Sequence, residues 1–205
     1  LAVAVSLILL LLSMRHLLST RLDQGLSGSH FAWPTRATIG LGLLCFLALM
    51  AEGSVVDWSA IMLREKFTLD AGTAALGYGF FSAGMAVSRF IGDTLRYRFG
   101  AVRLVAVSAA VTAIAMIMAL AMPDPLAAII AFGIAGLGVG NIAPGLFGGG
   151  GRLEPNAPGR GIAAVTTLGY AGFLAGPPLI GFAAEVVGLP VALGLTAVAA
   201  AIIAV

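Results

Sequence analysis

Apolar residues run through this chain in long blocks, and charged residues and Pro/Gly pairs punctuate them. Seven blocks can be marked off, which predict helices at about 1–19, 37–62, 73–92, 102–122, 126–147, 161–187 and 191–205. Most approach the roughly 20 residues needed to cross a ~30 Å hydrocarbon core. The connectors then sort the basic residues. The first, third and fifth (21–36, 93–101 and 148–160), with their flanks, hold Arg15, Arg21, Arg36, Arg89, Arg96, Arg98, Arg103, Arg152 and Arg160. The second, fourth and sixth (63–72, 123–125 and 188–190) hold Arg64 and Lys66 alone. Nine against two on alternating connectors is a positive-inside pattern. It places the Arg-rich connectors in the cytoplasm, the start of the chain outside and its end inside. Losing one helix would scramble the alternation, so charge and hydropathy agree on seven spans.

Composition narrows the class. The 205 residues are 60% hydrophobic and 10% charged, with a mean hydropathy of +1.07. A soluble domain carries about 25% charge, so a soluble enzyme, a disordered tail and a nucleic-acid binder are excluded. The expected fold is all-α, a polytopic membrane protein in contact with lipid. The net charge of +2 is a topology signal rather than the mark of an acidic partner. The single cysteine, Cys45, excludes an intrachain disulfide and a multi-Cys metal site. Both ends read as cut: Leu1 opens inside an apolar run, and only fifteen residues follow Pro190. The chain is therefore expected to be part of a longer protein, with its last helix truncated. The polar connector 21–36, with Trp33-Pro34, reads as a linker before a six-helix unit, an ordinary loop being the alternative.

Glycine is abundant, at 28 residues. Gly133, Gly136, Gly138 and Gly140 crowd one span, and Gly77, Gly79 and Gly84 another. In lipid, small residues let helix backbones approach and pack. Helix breaks are expected at Asn141-Ile-Ala-Pro144-Gly145 and at Gly176-Pro177-Pro178, because proline removes a backbone donor. Discontinuous helices are frequent at transporter sites, although kinks for packing alone fit equally well. Other patterns are decoys. Gly138-Val-Gly140-Asn-Ile-Ala143 matches a dinucleotide fingerprint but has no preceding strand or βαβ unit. No Gly-Lys-Ser/Thr follows the run Gly148 to Gly151, so an ATP-driven pump is unsupported. His16 and His30 read as surface residues. There is no nucleophile–base pair, so neither enzyme activity nor a cofactor or metal is expected.

Acids within spans are costly and are functional candidates. Counting from Thr38 at about 1.5 Å per residue, Glu52 lies roughly 21 Å into the span and Asp57 roughly 28 Å. Five residues apart, the two point about 140° away from each other and cannot share a site. Asp57 and Glu185 read as interfacial; Glu52 is embedded. A carboxyl in low dielectric favours its neutral form, as proton coupling requires; a hydrogen bond to a neighbouring helix is the alternative. Candidate cavity-lining residues are Glu52, Tyr78, Asn141 and Tyr170.

The sharpest local pattern runs from Ser88 to Arg103. Arg89 and Asp93, at i and i+4, can pair on one helix face, and Arg96, Arg98 and Arg103 flank a turn at Gly100. Arg89, Asp93, Arg98, Gly100 and Arg103 read as a charge network that closes one conformation, or else as an anchoring loop. Arg98-Phe99-Gly100 with Arg103 resembles the Gly-x3-Asp-Arg-x-Gly-Arg-Arg signature of the major facilitator superfamily, in the copy between its eighth and ninth helices. It departs in Tyr97, in Ala101-Val102, and in the one-residue offset of Gly92-Asp93. Ala51-Glu52-Gly53 through Asp57-Trp58-Ser59 resembles the seventh helix of the fucose-permease-like bacterial inner-membrane members. Pro158-Gly159-Arg160, Leu168-Gly169-Tyr170 and Gly176-Pro177-Pro178-Leu179-Ile180-Gly181 resemble their tenth-to-eleventh loop and eleventh helix.

The resemblance implies helices six to twelve of such a transporter. Residues 1–20 would be the last helix of the amino-terminal half, 21–36 the central cytoplasmic loop, and 37–205 the incomplete carboxy-terminal half. It further implies a monomeric secondary transporter of the inner membrane that moves a small solute by alternating access, as symporter or efflux protein, with H+ as candidate coupling ion. A seven-helix signalling receptor also fits the topology. A retinal protein does not, because Lys66, the sole lysine, lies in a connector.

The arginine asymmetry predicts that connectors 21–36, 93–101 and 148–160 face the cytoplasm. In a Cys45→Ala background, Gly28→Cys and Asn156→Cys are expected to react with a membrane-impermeant maleimide only after permeabilisation. Labelling of intact cells at either position would overturn the assigned topology.

Overall fold

The computed structural model describes Ile8, Leu11, Leu12 and residues 34–205. Contacts divide the chain into Leu1–His30 and Phe31–Val205. Apart from the helical Ile8, Leu11 and Leu12, the expected first helix lies outside the described residues, as do His16, His30 and the connector as far as Trp33. In the second unit seven helices follow one another: α1 (Ile39–Phe67), α2 (Ala71–Phe99), α3 (Ala101–Ala121), α4 (Pro125–Val139), α5 (Ile142–Leu153), α6 (Pro158–Val187) and α7 (Leu189–Ala204). No strand occurs among the described residues. The fold is that of an all-α membrane protein. Four stretches, α1, α3, α6 and the combined Pro125–Leu153, are long and apolar enough to cross a membrane.

The helices outrun the expected boundaries. α1 continues to Phe67 and α2 to Phe99, although 62 and 92 were the expected ends. Charged residues such as Arg64 or Asp93 do not stop a helix; backbone geometry does. Thr68 ends α1 in the left-handed region at φ 53°. Asp70 then caps α2, its carboxylate accepting from the Gly72 and Thr73 amides. The hydrogen bond from the Thr73 side chain, joined by these amides, holds the Asp70 carboxyl below its usual range. Gly100 makes a one-residue corner between α2 and α3 at φ +80°, a conformation that only glycine adopts freely. Gly188 does the same between α6 and α7 at φ +82°.

One of the two expected breaks exists. Residues 125–153 are interrupted at Gly140–Asn141, and Pro144 falls in the first turn of α5, where its missing donor costs nothing. At Pro177-Pro178, by contrast, α6 is unbroken from Pro158 to Val187, which corrects the expected helix break. Its neighbour α1 holds that stretch in line: Trp58 Nε1 donates to the Pro177 carbonyl at 3.0 Å. Gly176 lies against the Met50 carbonyl and Ser54 Oγ of the same helix.

α1 is the hub. It packs along α2, α4, α5, α6 and α7, most extensively along α6, and it reaches α3 through Lys66. Lys66 Nζ donates to the Leu120 and Met122 carbonyls at 2.6 and 2.8 Å, satisfying acceptors that the end of α3 leaves free. At the opposite, Arg-rich end, Thr35 Oγ1 donates to Glu154 Oε1 at 2.9 Å.

Two glycine seams carry the bundle. Between α1 and α6, Gly169 meets Cys45, Gly172 meets the Phe46 carbonyl, and Gly53 meets the Phe173 carbonyl. Between α2 and α4, Gly84 abuts Gly133 and Gly136 abuts the Phe81 carbonyl. A Cβ at Gly53, Gly84, Gly136 or Gly172 would strike backbone, so the two helices would have to separate; at Gly169 it would strike the Cys45 and Leu49 side chains. Gly79 and Gly194 have no such neighbour. We therefore expect Gly172→Val and Gly136→Val each to destabilise the protein by about 1–3 kcal/mol or more, seen as a lower Tm in detergent. Gly79→Ala and Gly194→Ala should leave Tm close to the parent. Equal behaviour of all four variants would remove the seams from this account.

Candidate functional site

The α2–α4 seam fixes how α2 is turned. Asn141, in the break between α4 and α5, is buried, and its Nδ2 donates to the Ser88 carbonyl at 3.1 Å and to Ser88 Oγ at 2.6 Å. One turn further on, Gly92 leaves room for Asn141 Oδ1. With Ser88 and Gly92 held toward the break, the next residue, Arg89, points about 100° away from Ser88 and meets α1. There its Nη2 lies 3.5 Å from Glu52 Oε1.

Both charges sit well inside their helices. Glu52 is thirteen residues from Ile39 and fifteen from Phe67, while Arg89 is ten from Phe99. At about 1.5 Å per residue, these positions are roughly 20 and 15 Å from the Arg-rich end. Their burial differs: the Glu52 side chain is 12% exposed and that of Arg89 52%. At this separation the attraction is on the order of 4 kcal/mol at an effective dielectric of about 20, before desolvation is subtracted. The distance exceeds the ~2.7–2.9 Å of a tight charge-assisted hydrogen bond. Among the described residues most of the guanidinium donors meet no other acceptor.

This arrangement corrects the expected pairing of Arg89 with Asp93. Asp93 is exposed, and among the described residues the ion pair that forms is Arg89–Glu52. It also moves Arg89 from the flank of a connector into the body of a helix. Asp93 and Arg98 stand on the last turns of α2, Gly100 is the corner, and Arg103 opens α3; all four are exposed, and no ion pair joins them among the described residues. Arg96 has a buried Nε without a hydrogen-bond partner among the described residues.

The remaining candidates separate. Asn141 is 3% exposed and holds helices together, where a cavity-lining position was expected. Tyr78 is exposed on α2, eleven residues before Arg89 and hence on nearly the same face. Tyr170 opens onto an unenclosed groove of about 710 Å³ formed by α6 alone, with Ile162, Thr166, Thr167 and Leu174 among its lining. No cluster of three or more His, Cys, Asp or Glu that could hold a metal occurs among the described residues.

Sequence reasoning found Glu52 and Arg89 separately and missed that they meet. A signal was present: nothing between Arg89 and Phe99 breaks a helix, and Gly100 is the first glycine after Gly92. Extending α2 to that glycine lifts Arg89 to nearly the depth of Glu52. Ser88, Trp58 and Lys66 were also missed as cross-helix donors or acceptors, and nothing local marks them.

Known proteins resemble this chain over most of its length. A Yersinia pestis protein named an uncharacterized MFS-type transporter is 35% identical over 196 residues, which is 96% of this chain and 51% of that protein. Membrane protein MosC of Rhizobium meliloti is 32% identical over 189 residues, 88% of this chain and 45% of its own. An uncharacterized transporter of Sinorhizobium fredii is 28% identical over 173 residues, 84% and 46% of the two chains. No family model and no solved structure matches. The chain spans about half the length of the curated relatives it matches, and over that half it is similar to MFS-type transporters.

Proposed function

We propose that the protein carrying this chain moves a small solute across the inner membrane by alternating access, with Glu52 as its proton-coupling carboxyl and Arg89 as the partner of Glu52 in one conformation. The names of the relatives support transport rather than signalling. The observation that carries the coupling is the Arg89–Glu52 pair in the body of the bundle. With the Arg89 side chain half exposed, the pair adds little to fold stability. Charges at such depth instead mark pathways and proton relays. Protonating Glu52 removes the counter-charge of Arg89, so any conformation that depends on their contact loses population. In this reading Asp93, Arg98, Gly100 and Arg103 form the cytoplasmic gate at the Arg-rich end. The Gly140–Asn141 break lets α5 move relative to α4 during opening. The full-length chain works as a monomer in this scheme.

Two measurements on the full-length protein test the proposal. In thermal unfolding, Glu52→Gln and Arg89→Gln should be non-additive by about 0.5–3 kcal/mol, while Asp93→Asn adds independently to Arg89→Gln. In proteoliposomes, Glu52→Gln should abolish solute accumulation driven by an imposed pH gradient, yet exchange of solute down its own gradient should survive. Accumulation at the parental rate would make Glu52 structural and end the coupling scheme.

A further inference from the structure

We propose that the transported solute is an anion whose acid group takes the place of Glu52 on Arg89 when Glu52 is protonated. The proposal rests on the transport reading above and names its substrate class. A guanidinium stays charged at any physiological pH, so only its partner can change. Among the described residues its contact is with Glu52, through Nη2 at 3.5 Å, and further donors in the planar fork are unused. The Arg89 side chain is also half open while Glu52 is nearly covered. A ligand therefore reaches the cation more easily than the carboxylate. Once Glu52 is neutral, an uncompensated cation at this depth is costly. A carboxylate or phosphate, whose oxygens match the guanidinium fork, removes that cost.

The surroundings favour this single exchange. The charged group that α2 turns to Glu52 is Arg89. Cys45 lies two turns away on α1 itself, and the packed helices α4 and α7 carry no titratable side chain. On α6 the titratable groups are Arg160 and Glu185 near its ends and Tyr170 between them; on α5 it is Arg152, in the last turn. Lys66 is held by the end of α3. A neutral solute would leave Arg89 unpaired after protonation, and a cationic one would have to reach the covered Glu52.

The charge balance is simple. One proton from water adds to the Glu52 carboxylate, and one monoanion adds to Arg89. The site is neutral before and after, and both are released on the other side. Transport of a monoanion then follows the pH gradient and ignores the membrane potential.

The test uses purified full-length protein and acetate, lactate, benzoate, inorganic phosphate and sulfate, with acetamide, lactamide and benzamide as neutral counterparts of the carboxylates. Tm shifts are read at a series of pH values from about 5 to about 8. At least one anion should raise Tm by several degrees at the low end of the series and far less at the high end, while the amides do nothing. Arg89→Gln should lose the shift, Arg89→Lys should keep part of it, and Glu52→Gln should show it throughout the series. No shift with any anion, an equal shift with the amides, or a shift that survives Arg89→Gln overturns the anion assignment. Failure of the coupling scheme looks different: Glu52→Gln then still accumulates solute against a gradient. Proton-driven accumulation of a neutral or cationic solute would sink the anion assignment alone.

Discussion

Close approach of helix backbones is the constraint on which the rest of this structure depends. Lipid tails are as apolar as leucine, so no hydrophobic drive presses transmembrane helices together. What remains is van der Waals contact at short range, and glycine permits it. Where Gly172 meets the Phe46 carbonyl and Gly136 the Phe81 carbonyl, any side chain would hold the backbones apart. Each such contact fixes the distance, rotation and register of a helix pair. α1 is set against α6 in this way, and α2 against α4.

The ion pair is a consequence of that register. Asn141 needs a donor-accepting partner for its buried amide, and Ser88 supplies it at 2.6 Å because Gly140 and Gly92 let α2 come close. With α2 held there, Arg89 is turned toward α1. α1 in turn is held against α6 by its own seam, with Gly53, next to Glu52, against the Phe173 carbonyl. The two charges are therefore presented by two separately fixed surfaces and did not choose each other locally. A change of helix register would separate the charges without disturbing either side chain's own packing.

The ends of the bundle show the same division of labour. Lys66 satisfies the carbonyls at the end of α3, Trp58 braces α6 beside two prolines, and Thr35 reaches Glu154. Each bond joins elements distant in sequence; the Lys66 bonds in addition satisfy carbonyls that the end of α3 leaves free. The Pro177-Pro178 pair illustrates the effect. Proline chemistry alone calls for a break, yet a helix pinned along its length by a neighbour accommodates two missing donors and stays continuous.

Hydropathy was enough to determine the all-α membrane class, the approximate ends of α3 and α7, and the break beside Asn141. It could do so because burial in lipid acts on each residue independently of its neighbours in space. The role of glycine in packing was legible for the same reason. Helix ends at Phe67 and Phe99 were not, since a charge can end a membrane span without ending a helix. The partners of Glu52, Asn141, Trp58 and Lys66 were decided only by the tertiary structure. Glu52 and Arg89 are 37 positions apart in the chain, and a contact across such a span depends on rotation about two helix axes. At about 100° per residue, one residue of slip in either seam would turn these charges away from each other, and no local pattern records that angle.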